Sequence, residues 1–310
     1  MNPILVTGAA GKVGAVGRSI VEILRQQDLP VRAFVRSDDD RAQALRATGA
    51  QVMVGDLMQP SDVVRALDGC RRVYFGLSVS AVYLEATMIM ACAAREQGNL
   101  EILVNMSQGT VSQMALTKMT GSPQHRQHWL AEQALNWSGL PVTHVRPTIF
   151  LEHFFFSTWA AQSIAENGTI RLPFGSGRTS PVAVADVARV VATVLANPTK
   201  HIGLVYELTG PRSQDMTAVA REYEDALGRK VTYVDVPFAK WLEQDLHSRG
   251  RELPEHVLKH FATMAQLHAE NRYDRLTQDV EKVSGKPAMS IREYVSRHPE
   301  IFPSAIGAKA

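Results

Sequence analysis

Three glycines stand at positions 8, 11 and 14 of a 310-residue chain, in the run Thr7-Gly8-Ala9-Ala10-Gly11-Lys12-Val13-Gly14. A strand-like apolar segment precedes the run and a helix-like segment follows it. In that context the spacing describes an anion site. Gly8 permits the tight turn, Gly11 lets backbone approach a pyrophosphate, and Gly14 allows helix and strand to pack closely. The helix N-terminus then offers its unbonded N–H groups to the negative charge. The implied chemistry is the binding of a dinucleotide, with Thr7, Gly8, Ala10, Gly11, Lys12, Val13 and Gly14 in contact with it.

The second strand ends at Val35-Arg36-Ser37. This lies about 22 residues past Gly14, where an NAD-preferring site carries an acidic residue for the ribose 2′-hydroxyl. A guanidinium there pairs instead with a 2′-phosphate, so Arg36 predicts NADP(H) ahead of NAD(H). Asp38, Asp39 and Asp40 follow; they either temper that field or cap the next helix. Asp56-Leu57, closing the third strand, is placed near the adenine, the alternative being an ordinary loop-starting Asp.

The elements that must hold these residues are legible in the alternation of short apolar runs and longer amphipathic segments. Strands are expected at Ile4 to Thr7, Val31 to Val35, Gln51 to Val54, Arg72 to Phe75, Ile102 to Met106 and Val142 to Arg146. Helices are expected at Val13 to Gln26, Asp39 to Ala47, Ser61 to Leu67, Tyr83 to Glu96 and Gln124 to Asn136. Parallel strands with right-handed helical crossovers make an α/β, doubly wound, Rossmann-type sheet. After Phe150 the alternation weakens into a stretch rich in Gly and Pro. Asp186 is then expected to cap a helix to Leu195, and Leu204 to Leu208 returns as a seventh strand. From Asp215 onward the pattern predicts a helix, a strand at Val231 to Val236, and helices from Phe238, Pro254 and Ile291. The expected domains are a nucleotide-binding domain at 1–150 plus about 182–210, and a smaller, discontinuous α+β lobe at 151–181 and 211–303. Residues 304–310 are expected to form a frayed tail.

Composition narrows the function classes. Hydrophobic residues make up 45% and charged residues 21% of the chain, which excludes disordered, collagen-like and disulfide-scaffold classes. A net charge of +2 supplies no broad field for a phosphate backbone, so nucleic acid is not an expected partner. Cys70 and Cys92 form no CxxC site and are expected as reduced thiols. The first residues carry no basic n-region or cleavage site, and no apolar run reaches the length of a membrane span. A cytoplasmic protein with no membrane partner is the expectation.

Together these features resemble the short-chain dehydrogenase/reductase superfamily, specifically its atypical NmrA-like branch, over nearly the whole chain. The resemblance rests on Thr7 to Gly14, Arg36, Gly55-Asp56-Leu57, His128-Trp129-Leu130-Ala131-Glu132, Ser138-Gly139-Leu140-Pro141 and Arg146-Pro147-Thr148-Ile149-Phe150-Leu151-Glu152. The branch includes NADPH-dependent quinone and dye reductases, and also redox-sensing regulators without catalytic activity. The superfamily's usual Tyr-x-x-x-Lys pair is missing: none of the seven tyrosines has Lys four residues later. Gln124 and His128 occupy the places of that pair. The resemblance implies His128 as a ribose or nicotinamide contact and Ser107, ending the fifth strand, at the active-site serine position. Both are candidate catalytic residues. Gly76 and Leu77 after the fourth strand, with Pro147 and Phe150 around the sixth, complete the expected cofactor-binding set.

Without a tyrosine to protonate a carbonyl, the fitting acceptors are those that gain hydride without an enzymic acid, such as quinones, dyes and other conjugated electrophiles. The expected function is therefore an NADP(H)-binding oxidoreductase acting on a small hydrophobic or aromatic acceptor. The alternative is a non-enzymic NADP(H) sensor acting through a regulatory protein partner; a homodimer fits either. A sugar-nucleotide epimerase or dehydratase is disfavoured by the missing pair. The cluster Phe150, Phe154, Phe155, Phe156 and Trp159 either lines a flat pocket or is core. His125, Arg126 and His128 form a basic clump, read either as a solvated helix face or as a functional group. His256 and His260 share the spacing of zinc ligands but lack the partners, and no metal is expected.

Overall fold

The computed structural model describes residues 2–11 and 16–303. The first half contains β1 (Ile4–Thr7), α1 (Val16–Gln26), β2 (Val31–Val35), α2 (Asp40–Ala47), β3 (Gln51–Val54), α3 (Pro60–Leu67), β4 (Arg72–Phe75), α4 (Tyr83–Gln97), β5 (Ile102–Met106), α5 (Pro123–Trp137) and β6 (Val142–Pro147). The first five strands have the bounds expected from the sequence, and the sixth runs one residue further. Beyond them come α6 (Thr158–Asn167), β7 (Thr169–Leu172), β8 (Arg178–Thr179), α7 (Val184–Ala196), β9 (Val205–Leu208), β10 (Gln214–Asp215), α8 (Met216–Leu227) and β11 (Thr232–Asp235). The last helices are α9 (Phe238–Trp241), α10 (Glu255–Ala269), α11 (Asp279–Ser284) and α12 (Ile291–Arg297).

Seven strands form one parallel sheet in the order β3-β2-β1-β4-β5-β6-β9. All four residues of β1 are buried, as a central strand covered on both faces requires, and this explains its unbroken apolar run. The chain leaves β1 for β2 on one side and reaches β4 on the other. The order reverses at β1, so the crevice beyond the carboxyl ends of β1 and β4 is the switch point where ligands bind in such sheets. Local chemistry supports the crossovers. Asp39 caps α2 by accepting from the N–H groups of Arg41 and Ala42, and Ser122 caps α5 through the N–H of His125, with Pro123 in its first turn.

One structural correction concerns Asp186. Helix α7 begins at Val184, so Asp186 is not its N-cap residue but lies in the first turn, 1% exposed, with Oδ1 2.8 Å from Nη1 of Arg189. The apolar neighbours Ala183 and Val184 are already buried, and the chain turns helical before Asp186 is reached.

The described residues fall into two compact units. One comprises those within Met1–Pro147, Val184–Leu208 and Asp279–Lys286; the other those within Thr148–Ala183, Thr209–Gln278 and Pro287–Ala310. Residues 279–286, expected in the smaller lobe, group with the large sheet; α11 packs on α7, and Asp279 Oδ2 accepts the N–H of Glu207 on edge strand β9 at 3.0 Å. In the second unit β7 pairs β11 in parallel and β8 pairs β10 antiparallel. Its core is aromatic, with Phe155, Phe156, Phe174, Tyr223 and Trp241 all fully enclosed. Among the described residues no helix is long and apolar enough to cross a membrane.

Candidate functional site

The carboxyl end of β1 is tied to that of β4 by one hydroxyl. Thr7 Oγ1 donates to the carbonyl of Gly76 and accepts its N–H, both at 2.9 Å. Gly8 follows at φ +64°, and a Cβ on it would stand 2.6 Å from the Gly76 oxygen. Only glycine fits there, so the turn into the loop is dictated at residue 8. Gly11 closes the turn by donating its N–H to the Gly8 carbonyl at 3.1 Å. Lys12, Val13 and Gly14 lie outside the described residues. Within them, a residue not singled out from sequence performs close packing: a Cβ on Gly17 would come within 2.9 Å of both Ala9 Cα and the Gly8 oxygen. Its recurrence three residues after Gly14 was the available signal.

Arg36 lies just past β2, exposed, with no hydrogen bond or ion pair to another described residue. Its acidic neighbours are engaged elsewhere. Asp38 takes a bidentate pair from Arg46 at 2.6 and 3.1 Å, and Asp39 caps α2 while accepting from Arg41 Nε at 3.0 Å. These guanidinium bonds hold both carboxyls below their usual range. Arg41 in turn donates to the Ala10 carbonyl at 2.7 Å, so α2 clasps the glycine loop. Just past β3, Asp56 Oδ1 accepts the N–H of Met58 at 2.9 Å, and Leu57 packs into the core of this unit. Leu77, half-buried, follows Gly76.

Past β5, Ser107 donates its backbone N–H to Val145 at 2.8 Å, while its buried Oγ has no partner among the described residues. His128 sits on α5, 4% exposed, with its ring 3.9 Å from that of Tyr83. Tyr83 on α4 donates its hydroxyl to the Met106 carbonyl at 2.6 Å, which brings this pair to the end of β5 next to Ser107. The Nε2 of His128 lies 3.1 Å from Nε2 of Gln124, and its Nδ1 is buried without a partner among the described residues. Burial pulls both His125 and His128 down to about 3, with His125 adding to the effect on His128. The expected basic clump is therefore corrected: two of its members are enclosed and neutral at ordinary pH, and only Arg126 is exposed. A turn further on, Glu132, 1% exposed at its side chain, holds Arg146 Nε at 2.9 Å.

Pro147 ends β6, buried. Phe150 belongs to the other unit, where it is half-buried and bridges Val182 in parallel. In that unit Phe155 and Phe156 are core, at 1% and 0% exposure. Phe155 packs edge-on against Phe174 and Trp241, whereas Phe154 stacks on Trp159 at 5.5 Å with both partly exposed. His260 on α10 is buried, and no group of three metal-ligating side chains occurs among the described residues. Cys70 is buried, its thiol pushed up to about 11 by desolvation; Cys92 is exposed, and both are free.

Known proteins share this fold. The chain is 28% identical over 305 residues to the NAD(P)H azoreductase of Xenophilus azovorans, covering 97% of this chain and all of that one. It superposes on the NADPH-dependent quinone oxidoreductase of Escherichia coli in complex with NADPH at a TM-score of 0.79, with 24% identity and 95% and 99% of the two chains covered. It superposes equally, at 0.79, on the negative transcriptional regulator NmrA in complex with NADP, with 18% identity and coverage of 97% and 95%. At these identities the solved structures speak for the fold. The NmrA-like family profile matches residues 2–295, and the chain belongs to the NmrA-like family.

Proposed function

We propose that this protein is an NADPH-dependent oxidoreductase that reduces a small conjugated acceptor, such as a quinone or dye, without the Tyr-x-x-x-Lys pair. The observation that carries the reading is a set of unmet hydrogen-bonding groups at one end of the sheet. Arg36 has no partner among the described residues, and the buried Ser107 Oγ and His128 Nδ1 have none either. Buried polar atoms in a finished core are satisfied, so Ser107 Oγ and His128 Nδ1 point to a ligand that completes them, and Arg36 is exposed to meet one. The tight Gly8 turn at φ +64°, where a Cβ would collide with Gly76, fits the first glycine of a dinucleotide loop.

NADPH, when bound, supplies the hydride; the protein holds, orients and excludes water. Arg36 pairs with the 2′-phosphate, a role open to it because Arg46 and Arg41 already neutralise Asp38 and Asp39. Ser107 and His128 position the ribose and nicotinamide end. Geometry of this kind lowers the barrier by bringing reacting atoms to near-attack distance. His128 is neutral well below pH 7, so it holds no imidazolium proton to give, which suits a substrate that takes hydride without an enzymic acid. Quinones and azo or cationic dyes meet that demand, since their product charge is delocalised or protonated by water. The similarity to an azoreductase supports this class of acceptor.

The same fold in a transcriptional regulator holding NADP favours a second reading, a non-enzymic NADP(H) sensor in the cytoplasm. A panel of quinones and dyes with NADPH, followed at the cofactor's absorbance, separates the two. Turnover with at least one member, and none with simple ketones or alcohols, is the expected result. No turnover above buffer across the panel, together with a protein partner whose affinity depends on NADP(H), establishes the sensor instead.

A further inference from the structure

We propose that Gln124 is a positioning residue: its amide bridges the Ser80 backbone and the His128 ring, locking His128 in the tautomer that presents a neutral Nδ1–H donor. The assignment rests on hydrogen-bond arithmetic. The N–H of Ser80 lies 3.0 Å from Oε1 of Gln124 and must donate to it, which fixes the amide's orientation. Its NH2 group then faces Nε2 of His128 at 3.1 Å. An amide NH2 has only donors, so the ring nitrogen it meets must accept, and a neutral imidazole whose Nε2 accepts carries its proton on Nδ1. Reversing the amide would set its NH2 against the Ser80 N–H, two donors face to face.

The anchor is independently held. Gln127, one residue before His128, accepts the N–H of Leu84 at 3.0 Å and donates to the Ser80 carbonyl at 3.3 Å, so the segment bearing Ser80 is pinned to α5 twice. The plane of the ring is held by packing against Tyr83 at 3.9 Å, and Tyr83 is tied to Met106. A neighbouring histidine supplies the contrast. On His144, Asn105 Nδ2 donates to Nδ1 and Nε2–H donates to Asn136 Oδ1, each at 3.0 Å, which is the opposite tautomer with both nitrogens used. On His128 the second nitrogen is left over, buried, carrying a proton. The titratable groups around it are His125 on the same helix and Tyr83 on α4, with Glu132 one turn on; burial keeps the ring uncharged. A neutral Nδ1–H can donate to an oxygen of a ligand, a carbonyl or hydroxyl included. In the proposed enzyme that acceptor is the ribose or nicotinamide end of the cofactor, so this role rests on the reading given above.

The test is ¹⁵N NMR of the histidine rings in the free protein, with His128 assigned by the signal lost in His128→Gln. His128 is expected as the Nδ1–H tautomer, without titration between pH 5 and 8. In Gln124→Glu a carboxylate replaces the donor, and the ring signals should move to the Nε2–H or doubly protonated form, with NADPH affinity falling at least tenfold by calorimetry. Gln124→Met should leave a tautomer mixture and is the control if the charged variant fails to fold. An Nε2–H ring in the wild type, or the same Nδ1–H ring in both folded variants, overturns the assignment. The expected tautomer in a protein that binds no NADPH would instead leave the lock standing and remove the functional reading.

Discussion

Two histidines, one in each unit, are alike in burial and basicity and differ in what their nitrogens touch. His268 on α10 is sandwiched between Phe174 and Tyr273, with centroids 4.0 and 3.8 Å away and planes within 10° and 8°. Its Nδ1 donates to the Met264 carbonyl at 2.7 Å, and its Nε2 lies 3.3 Å from Thr179 Oγ1. Every capacity of that ring is spent inside its own unit. His128 is as deeply enclosed, yet one nitrogen is unspent, and it shares that condition with nearby Ser107. Both rings are brought down to about 3 by desolvation, so a displaced pKa alone separates nothing here. Between these two rings, the difference is unmet hydrogen-bonding capacity.

The largest effect that sharpens the contrast is on stability. His268→Ala removes the ring from between two aromatic neighbours and should cost about 3 kcal/mol in urea denaturation, the scale of deleting a buried aromatic group. NADPH affinity of the folded protein should be unchanged; a weakened affinity at native stability would reverse the roles assigned to the two units. Next in size, Arg36→Ala should weaken NADPH by about 1.5–3 kcal/mol, or roughly tenfold to a hundredfold, while leaving stability within about 0.5 kcal/mol. Wild-type protein that binds NADH and NADPH equally by calorimetry would remove the basis for that role.

The smallest effect per residue is one in which the two histidines must behave alike. Each falls from 6.5 to about 3 on folding, so between those values the unfolded chain binds more protons than the native one, and stability rises with pH. The full contribution is present above pH 6.5 and is lost as pH falls toward 3. At pH 5 the loss is about 2 kcal/mol for each ring. Denaturation at pH 5 and pH 7 should show His128→Gln and His268→Gln flattening this dependence by similar amounts. A slope that only one of them changes would break the equivalence of burial on which the comparison rests.

The chain by itself determined the sheet, because a strand buried on both faces needs an unbroken apolar run and a crossover helix needs an amphipathic one; β1 to β5 have the bounds their residues predict. The turn at Gly8 was equally legible, since its positive φ and its 2.6 Å approach to Gly76 admit no side chain. Arg36 was legible as a type at a position, but its availability was not. That depends on Arg46 and Arg41 taking Asp38 and Asp39, a choice of partners made only when α2 folds back on the loop. The aromatic run after Phe150 carried no sign of which rings turn inward, and packing alone sent Phe155 and Phe156 to the core. His125 and His128 read as a basic clump because their pattern does not state that both will be buried, His128 against Tyr83 of α4. Sequence records which atoms can donate, accept or carry charge; only the tertiary structure decides which of them water reaches and which are already spoken for, because burial and pairing are properties of neighbours brought from tens of residues away.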